Sequence, residues 1–224
     1  MDKSLKLIIV GVVLATCFYC SPKPKEETNQ LTKQEVTAKE ILGNPNYMAI
    51  SYEGYRQKSR EQQPTVAELK EDVKILSAMG IRILRTYNVQ LPHASNLLKA
   101  IRELQTENPD FEMYVMLGAW IDCKNAWTDQ TPDHDLESEQ NEGEIERAVA
   151  LANQYPEIVK ILAVGNEAMV RWATSYFVQP SVILKWVNHL QSLKSEGKLP
   201  KELWITCSDD FSSWGGADSS YHTE

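Results

Sequence analysis

Cysteine is scarce, glycine is not clustered and basic residues are nowhere massed in this 224-residue chain, and each shortage removes a class of function. Of four cysteines, two fall within the first twenty residues, leaving Cys123 and Cys207 too isolated for a disulfide framework or a thiolate metal site. One bridge between them is conceivable in an oxidising compartment, but two buried thiols are the simpler reading. None of the ten glycines builds a GxGxxG or phosphate loop, which weakens any nucleotide-binding role. A formal charge of −8 with no Lys/Arg cluster argues against DNA or RNA as partner. Asp133, His134 and Asp135 superficially resemble metal ligands, yet no second cluster has ligand spacing, so neither a metal nor another cofactor is expected. Ser208, Ser212 and Ser213 lack a nucleophile-elbow context.

What is present begins at the N-terminus. MDKSLK is a short basic start, LIIVGVVLA an apolar run of signal-peptide length, and Cys17 follows. Leu14 to Cys17 resembles a bacterial lipobox, with Thr16 as a departure and Cys20 as the second choice. Residues 1–20 are therefore expected to direct export, and lipidated Cys17 to hold the protein to a bacterial membrane on the periplasmic or cell-surface side. An uncleaved anchor is the alternative, although the run is short for a bilayer span. Residues 21–44 are polar and poor in large apolar groups and read as a tether.

From Pro45 onward, short apolar runs alternate with helical periodicity. Strands are predicted at Tyr47–Ser51, Ile81–Leu84, Met113–Leu117, Ile161–Gly165 and Leu203–Cys207. Between them lie four helices. The first starts at Thr65 with Glu68 completing a capping box and stops at Gly80; the second carries Leu97, Leu98, Ile101 and Leu104, with Ser95 as its possible cap. The third uses Ile145, Val149 and Ala152, and the fourth opens near Pro180. The polar stretch from Ile121 to Gly143 is long for a loop in a compact domain, which marks it as functional or mobile. Repeated βα units imply a parallel sheet of α/β class, and both a doubly wound sheet and a (β/α)8 barrel satisfy that pattern.

The polar residues of interest fall just after strands, so they share one edge of the sheet. Foremost are Asn166 and Glu167, where the apolar run ILAVG opens into a loop. A carboxylate there must be solvated, paired or used. Trp120 and Trp214 could stack on a ring through their flat faces or be large core residues with one polar tip, while Trp127 and Trp172 read as core. Asp122, Asp209 and Asp210 could hydrogen-bond sugar hydroxyls, or be solvated loop acids.

Taken together, ISYEGYR, IRILRTYN, VMLGAWID, ILAVGNE and WITCSDD resemble glycoside hydrolase family 17, a family of β-glucan-active (β/α)8 barrels, over residues 45–224. The resemblance implies a retaining glycosidase acting on β-glucan, most readily β-1,3-linked, with Glu167 as general acid/base. It implies that Asn166 contacts the sugar 2-hydroxyl and that Tyr87, Arg85 and Tyr52 line the adjacent subsite. In such enzymes two carboxyl groups lie about 5 to 5.5 Å apart, one protonating the leaving oxygen and one attacking the anomeric carbon. The family's nucleophile follows the seventh strand, whereas about five βα units are present here, so an incomplete barrel, a fragment inactive alone, is expected. The alternatives are a non-catalytic carbohydrate-binding lipoprotein and a glucan transglycosylase on the same scaffold.

Overall fold

The computed structural model describes residues 36–211 and 214. In chain order the elements are α1 (Ala38–Ile41), β1 (Met48–Ser51), α2 (Val66–Ala78), β2 (Ile81–Arg85), α3 (Pro92–Glu107), β3 (Tyr114–Ala119), β4 (Cys123–Lys124), β5 (Asp133–Glu137), α4 (Gln140–Gln154), β6 (Val159–Asn166), α5 (Pro180–Ser195) and β7 (Trp204–Ser208). Five strands form one parallel sheet in the order β1-β2-β3-β6-β7. That order follows the chain without reversal, so these strands lack the switch point of a doubly wound sheet.

Alternation along each strand divides the apolar residues between two faces. Leu84, Val115, Leu117, Leu162 and Val164 join the larger core. The helices reach it through Leu69 and Val73 of α2, Leu97, Leu98 and Ile101 of α3, Ile145 of α4, and Ile183, Trp186 and Leu190 of α5. Each such aliphatic side chain stabilises the fold by about 1.5–3 kcal/mol relative to exposure. On the other face Ile83, Tyr114 and Ile161 pack with Ala38 and Ile41. The interior strand β6 is buried along its length except at Asn166, whereas edge strand β1 is exposed throughout.

Local sequence chemistry sets the helix starts. Thr65 and Glu68 form the expected capping box, with Thr65 N–H donating to Glu68 Oε2 at 2.8 Å and Glu68 N–H to Thr65 Oγ1 at 3.3 Å. Three local expectations need correction. Ser95 is not a cap: α3 starts three residues earlier at Pro92, whose fixed φ suits a first helical turn. The expected tether already contains α1, capped by Thr37 and Glu40, and Ala38 and Ile41 are fully buried. The long polar stretch after β3 is ordered as the antiparallel pair β4-β5, joined to the loop after β6 by the Cys123 N–H to Tyr176 carbonyl bond at 3.1 Å. The signal and lipobox residues lie outside the described region.

Candidate active site

The site stands where the parallel strands end. At the end of β6 Gly165 has φ +75°, and the pairing with β7 shifts register between Val164 and Asn166. A Cβ on Gly165 would sit 2.9 Å from Ala168 Cβ and 3.0 Å from Ile183 Cδ1, so only glycine lets the chain turn here. Glu167 follows with φ +48° and donates its N–H to the Ser208 carbonyl at 2.8 Å. Its side chain is thereby turned out of the strand into a cavity of about 370 Å³ that Asn166, Arg85, Tyr87 and Trp120 also line.

Arg85 organises this floor. Its Nη2 donates to Asn166 Oδ1 and to Ser208 Oγ, the latter at 2.6 Å, and its guanidinium lies 5.0 Å from the Tyr87 ring centre. Because Arg85 occupies the Asn166 carbonyl oxygen, the amide NH₂ is left to donate to a ligand. Next to β2, the end of β3 approaches so closely that a Cβ on Gly118 would meet the Thr86 carbonyl oxygen at 2.3 Å. Gly118 N–H donates to Thr86 Oγ1 at 3.1 Å.

Two residues that sequence reasoning missed complete the wall. Glu53, just past β1, lines the cavity and pairs with Arg60 at 3.1 Å. Asn88 lines it too and is buried. Four buried side-chain polar atoms among the described residues have no hydrogen-bond partner, and three belong here: Glu53 Oε1, Arg85 Nε and Asn88 Oδ1. Leaving such atoms unpaired costs about 1–3 kcal/mol each, and their convergence gives the cavity a polar wall. Position just after a strand was the available signal for Glu53, because it stands to β1 as Tyr87 stands to β2.

The post-strand loops are held by a third missed residue. Glu144 of α4 is buried, and its Oε1 accepts from Val89 N–H at 2.6 Å and from Trp120 N–H at 3.0 Å, while Oε2 accepts from Arg147 at 2.9 Å. Nothing local reveals this, because the partners lie on other loops. Beside Glu167, Asp209 accepts from Met169 N–H with both oxygens at 3.3 Å. Burial, opposed by that hydrogen bond and aided by the charges of Asp210 and Glu167, pushes its carboxyl up to about 6.

The chain shares 70% sequence identity with a solved structure. The chain is similar to the crystal structure of an endo-laminarinase from Formosa Hel1_33_131, with a TM-score of 0.83, covering 84% of this chain and 48% of that one. The chain thus spans about half the length of that neighbour. No protein-family model and no curated protein matches.

Of the residues singled out from sequence, Glu167, Asn166, Arg85, Tyr87 and Trp120 come together around the cavity. Tyr52, Asp210 and Trp214 do not line it. Tyr52 is turned toward α2, where its hydroxyl donates to Asp72 at 2.9 Å. Asp210 accepts from the Trp172 indole at 3.3 Å, and Trp214 is exposed. Trp127 and Trp172, expected in the core, are 63% and 65% exposed. Asp122 is buried and accepts from the Trp120 indole at 3.3 Å, so it holds a wall residue in place. A larger groove of about 890 Å³ opens between α4 and α5, but its Glu137 is already paired with Lys185 and the Trp186 indole, and it shares no lining residue with the cavity that holds Glu167.

Among the described residues no group of three or more His, Cys, Asp or Glu is placed to hold a metal, and no helix is long and apolar enough to cross a membrane.

Proposed function

We propose that this chain carries the acid-bearing portion of a retaining β-glucanase of glycoside hydrolase family 17, a (β/α)8 barrel acting on β-1,3-linked glucan. The observation that carries the reading is the 70% identity to an endo-laminarinase. The cavity supports it independently, because a carboxyl, a free amide NH₂, a ring face and three unpaired polar atoms meet there. The sequential order of the parallel strands supports the barrel.

In this reading Glu167 gives its proton to the glycosidic oxygen as the bond to the anomeric carbon breaks. A second carboxylate, supplied from outside the residues of this chain, forms the bond to that carbon. Water then releases the sugar, with Glu167 taking the proton back. Asn166 donates to the sugar 2-hydroxyl, Arg85 fixes the Asn166 rotamer, and Glu53 and Asn88 accept from further hydroxyls. The N-terminal segment exports the protein and ties it to a membrane through lipidated Cys17.

The test is hydrolysis of laminarin by the intact protein and its Glu167→Gln variant. Loss of two or more orders of magnitude in kcat with substrate still bound supports the assignment. Unchanged turnover removes Glu167 from the mechanism. Binding of laminarin without turnover by the intact parent would favour a carbohydrate-binding lipoprotein, and longer oligosaccharides among the products a transglycosylase.

A further inference from the structure

An aromatic strip runs outward from the pocket, and the acid and amide chemistry makes no use of it. Trp120 lines the cavity, and its ring centre is 5.1 Å from that of Tyr176. Tyr176 is stacked on Trp127 at 5.2 Å with 23° between the planes, and Trp120 and Trp127 are 6.3 Å apart. Three rings therefore form one continuous patch from the wall of the cavity to Trp127, which is largely in solvent. One face of the Trp127 indole rests on Tyr176, and the residue as a whole is exposed.

Holding Trp127 there is costly. Its φ is +61°, a left-handed conformation in which a bulky residue is an outlier, at a cost of about 1–3 kcal/mol. A lone exposed tryptophan is ordinary, but this one is also fixed in place. It sits in the turn between β4 and β5, where Ala126 N–H donates to the Cys123 carbonyl at 3.2 Å and Thr128 N–H to the Asn125 carbonyl at 3.3 Å. Cys123 N–H in turn donates to the Tyr176 carbonyl, so the turn that carries Trp127 and the loop that carries Tyr176 are tied together. The buried Asp122 carboxyl accepts from the Trp120 indole; burial pushes it above the usual carboxylate range, opposed by the side-chain hydrogen bonds of Trp120, Ser138 and Trp127. The ring planes are thus set in advance, which removes ordering cost from binding. Tyr176 also lies in the field of the acid: burial first, then the charges of Glu167 and Asp209, push its phenol up.

We propose that Trp127, seated on Tyr176 and continuous with Trp120, is a stacking platform for a glucosyl unit beyond the pocket, and that it makes the site prefer long β-1,3-glucan chains over short ones. The apolar CH face of a β-linked pyranose fits the exposed indole, while its hydroxyl rim stays in water. The proposal rests on the glucanase reading above.

The experiment compares kcat/KM of the intact protein and of its Trp127→Ala, Trp127→Phe and Trp127→Asn variants on laminaritriose and laminarihexaose. Asparagine tolerates the left-handed backbone, so Trp127→Asn separates loss of the ring from misfolding. The expected result is about a tenfold loss on the hexaose for the Ala and Asn variants, through KM, with little change on the triose and partial rescue by Phe. Equal kcat/KM on both substrates across all variants overturns the platform and leaves the glucanase reading intact. A parent protein that cleaves neither oligosaccharide nor laminarin overturns that reading, and the platform with it.

Discussion

Arg85 and Asn166 are 81 residues apart in the chain, yet one guanidinium nitrogen of Arg85 donates to the Asn166 carbonyl oxygen and also to Ser208 Oγ, joining the ends of β2, β6 and β7. Lysine has no planar guanidinium to lie over the Tyr87 ring while one nitrogen reaches both acceptors. Arg85→Lys is expected to lower kcat/KM on laminarin about 10- to 100-fold through a misaligned Asn166. The melting temperature should move little. Parent-like kinetics would show that Asn166 needs no such support.

Glu144 accepts two buried backbone N–H groups from different loops. Glu144→Ala leaves both without a partner and should cost about 2–4 kcal/mol. Glu144→Gln keeps one oxygen as acceptor and should cost less. Denaturant midpoints at constant m decide between these outcomes and a negligible loss.

Gly118 faces the Thr86 carbonyl oxygen at a distance no Cβ can tolerate. Because the obstacle is backbone, Gly118→Ala should destabilise by about 3 kcal/mol, the upper end of overpacking costs. A variant as stable as the parent would mean that β2 and β3 separate easily at their ends.

Two groups with opposite shifts act in one pH window. Asp209, raised from 3.8 to about 6, holds its proton more tightly in the folded chain, so its contribution falls as pH rises between those values. Buried His93, lowered from 6.5 to about 4 by desolvation first and then by the charge of Arg60, stays neutral while the unfolded chain takes up a proton. Its contribution therefore falls as pH drops through that range. Relative to the parent, Asp209→Asn should lose stability more steeply on going from pH 6.5 to pH 4.5, and His93→Gln less steeply. Melting curves at the two pH values read the signs directly, and parallel shifts in all three proteins would refute the assignment.

Asn166 and Glu167 were legible in the sequence because they follow an apolar run, and a parallel sheet gathers such positions at one edge; Arg85 and Tyr87 entered through the family resemblance. The helices were legible from their stripes, and the capping box at Thr65 from four residues. What escaped depends on contacts between distant segments. Glu144 is one of several acids on α4, and only the fold brings it under Val89 and Trp120. Strand β5 reads DHDLE, with no apolar alternation, and exists by pairing with β4. Tyr52 and Glu53 are adjacent, and sequence reasoning picked the aromatic. The fold turns that residue onto Asp72 and its neighbour into the cavity.

Helix α1 has a mechanical meaning. Ala38 and Ile41 wedge against Ile83, Tyr114 and Ile161, one residue from each of β2, β3 and β6. Helix α1 thus works as a latch: unseating Ile41 would strip cover from β2, β3 and β6 at once, so the loss of a single helical turn is felt across three strands.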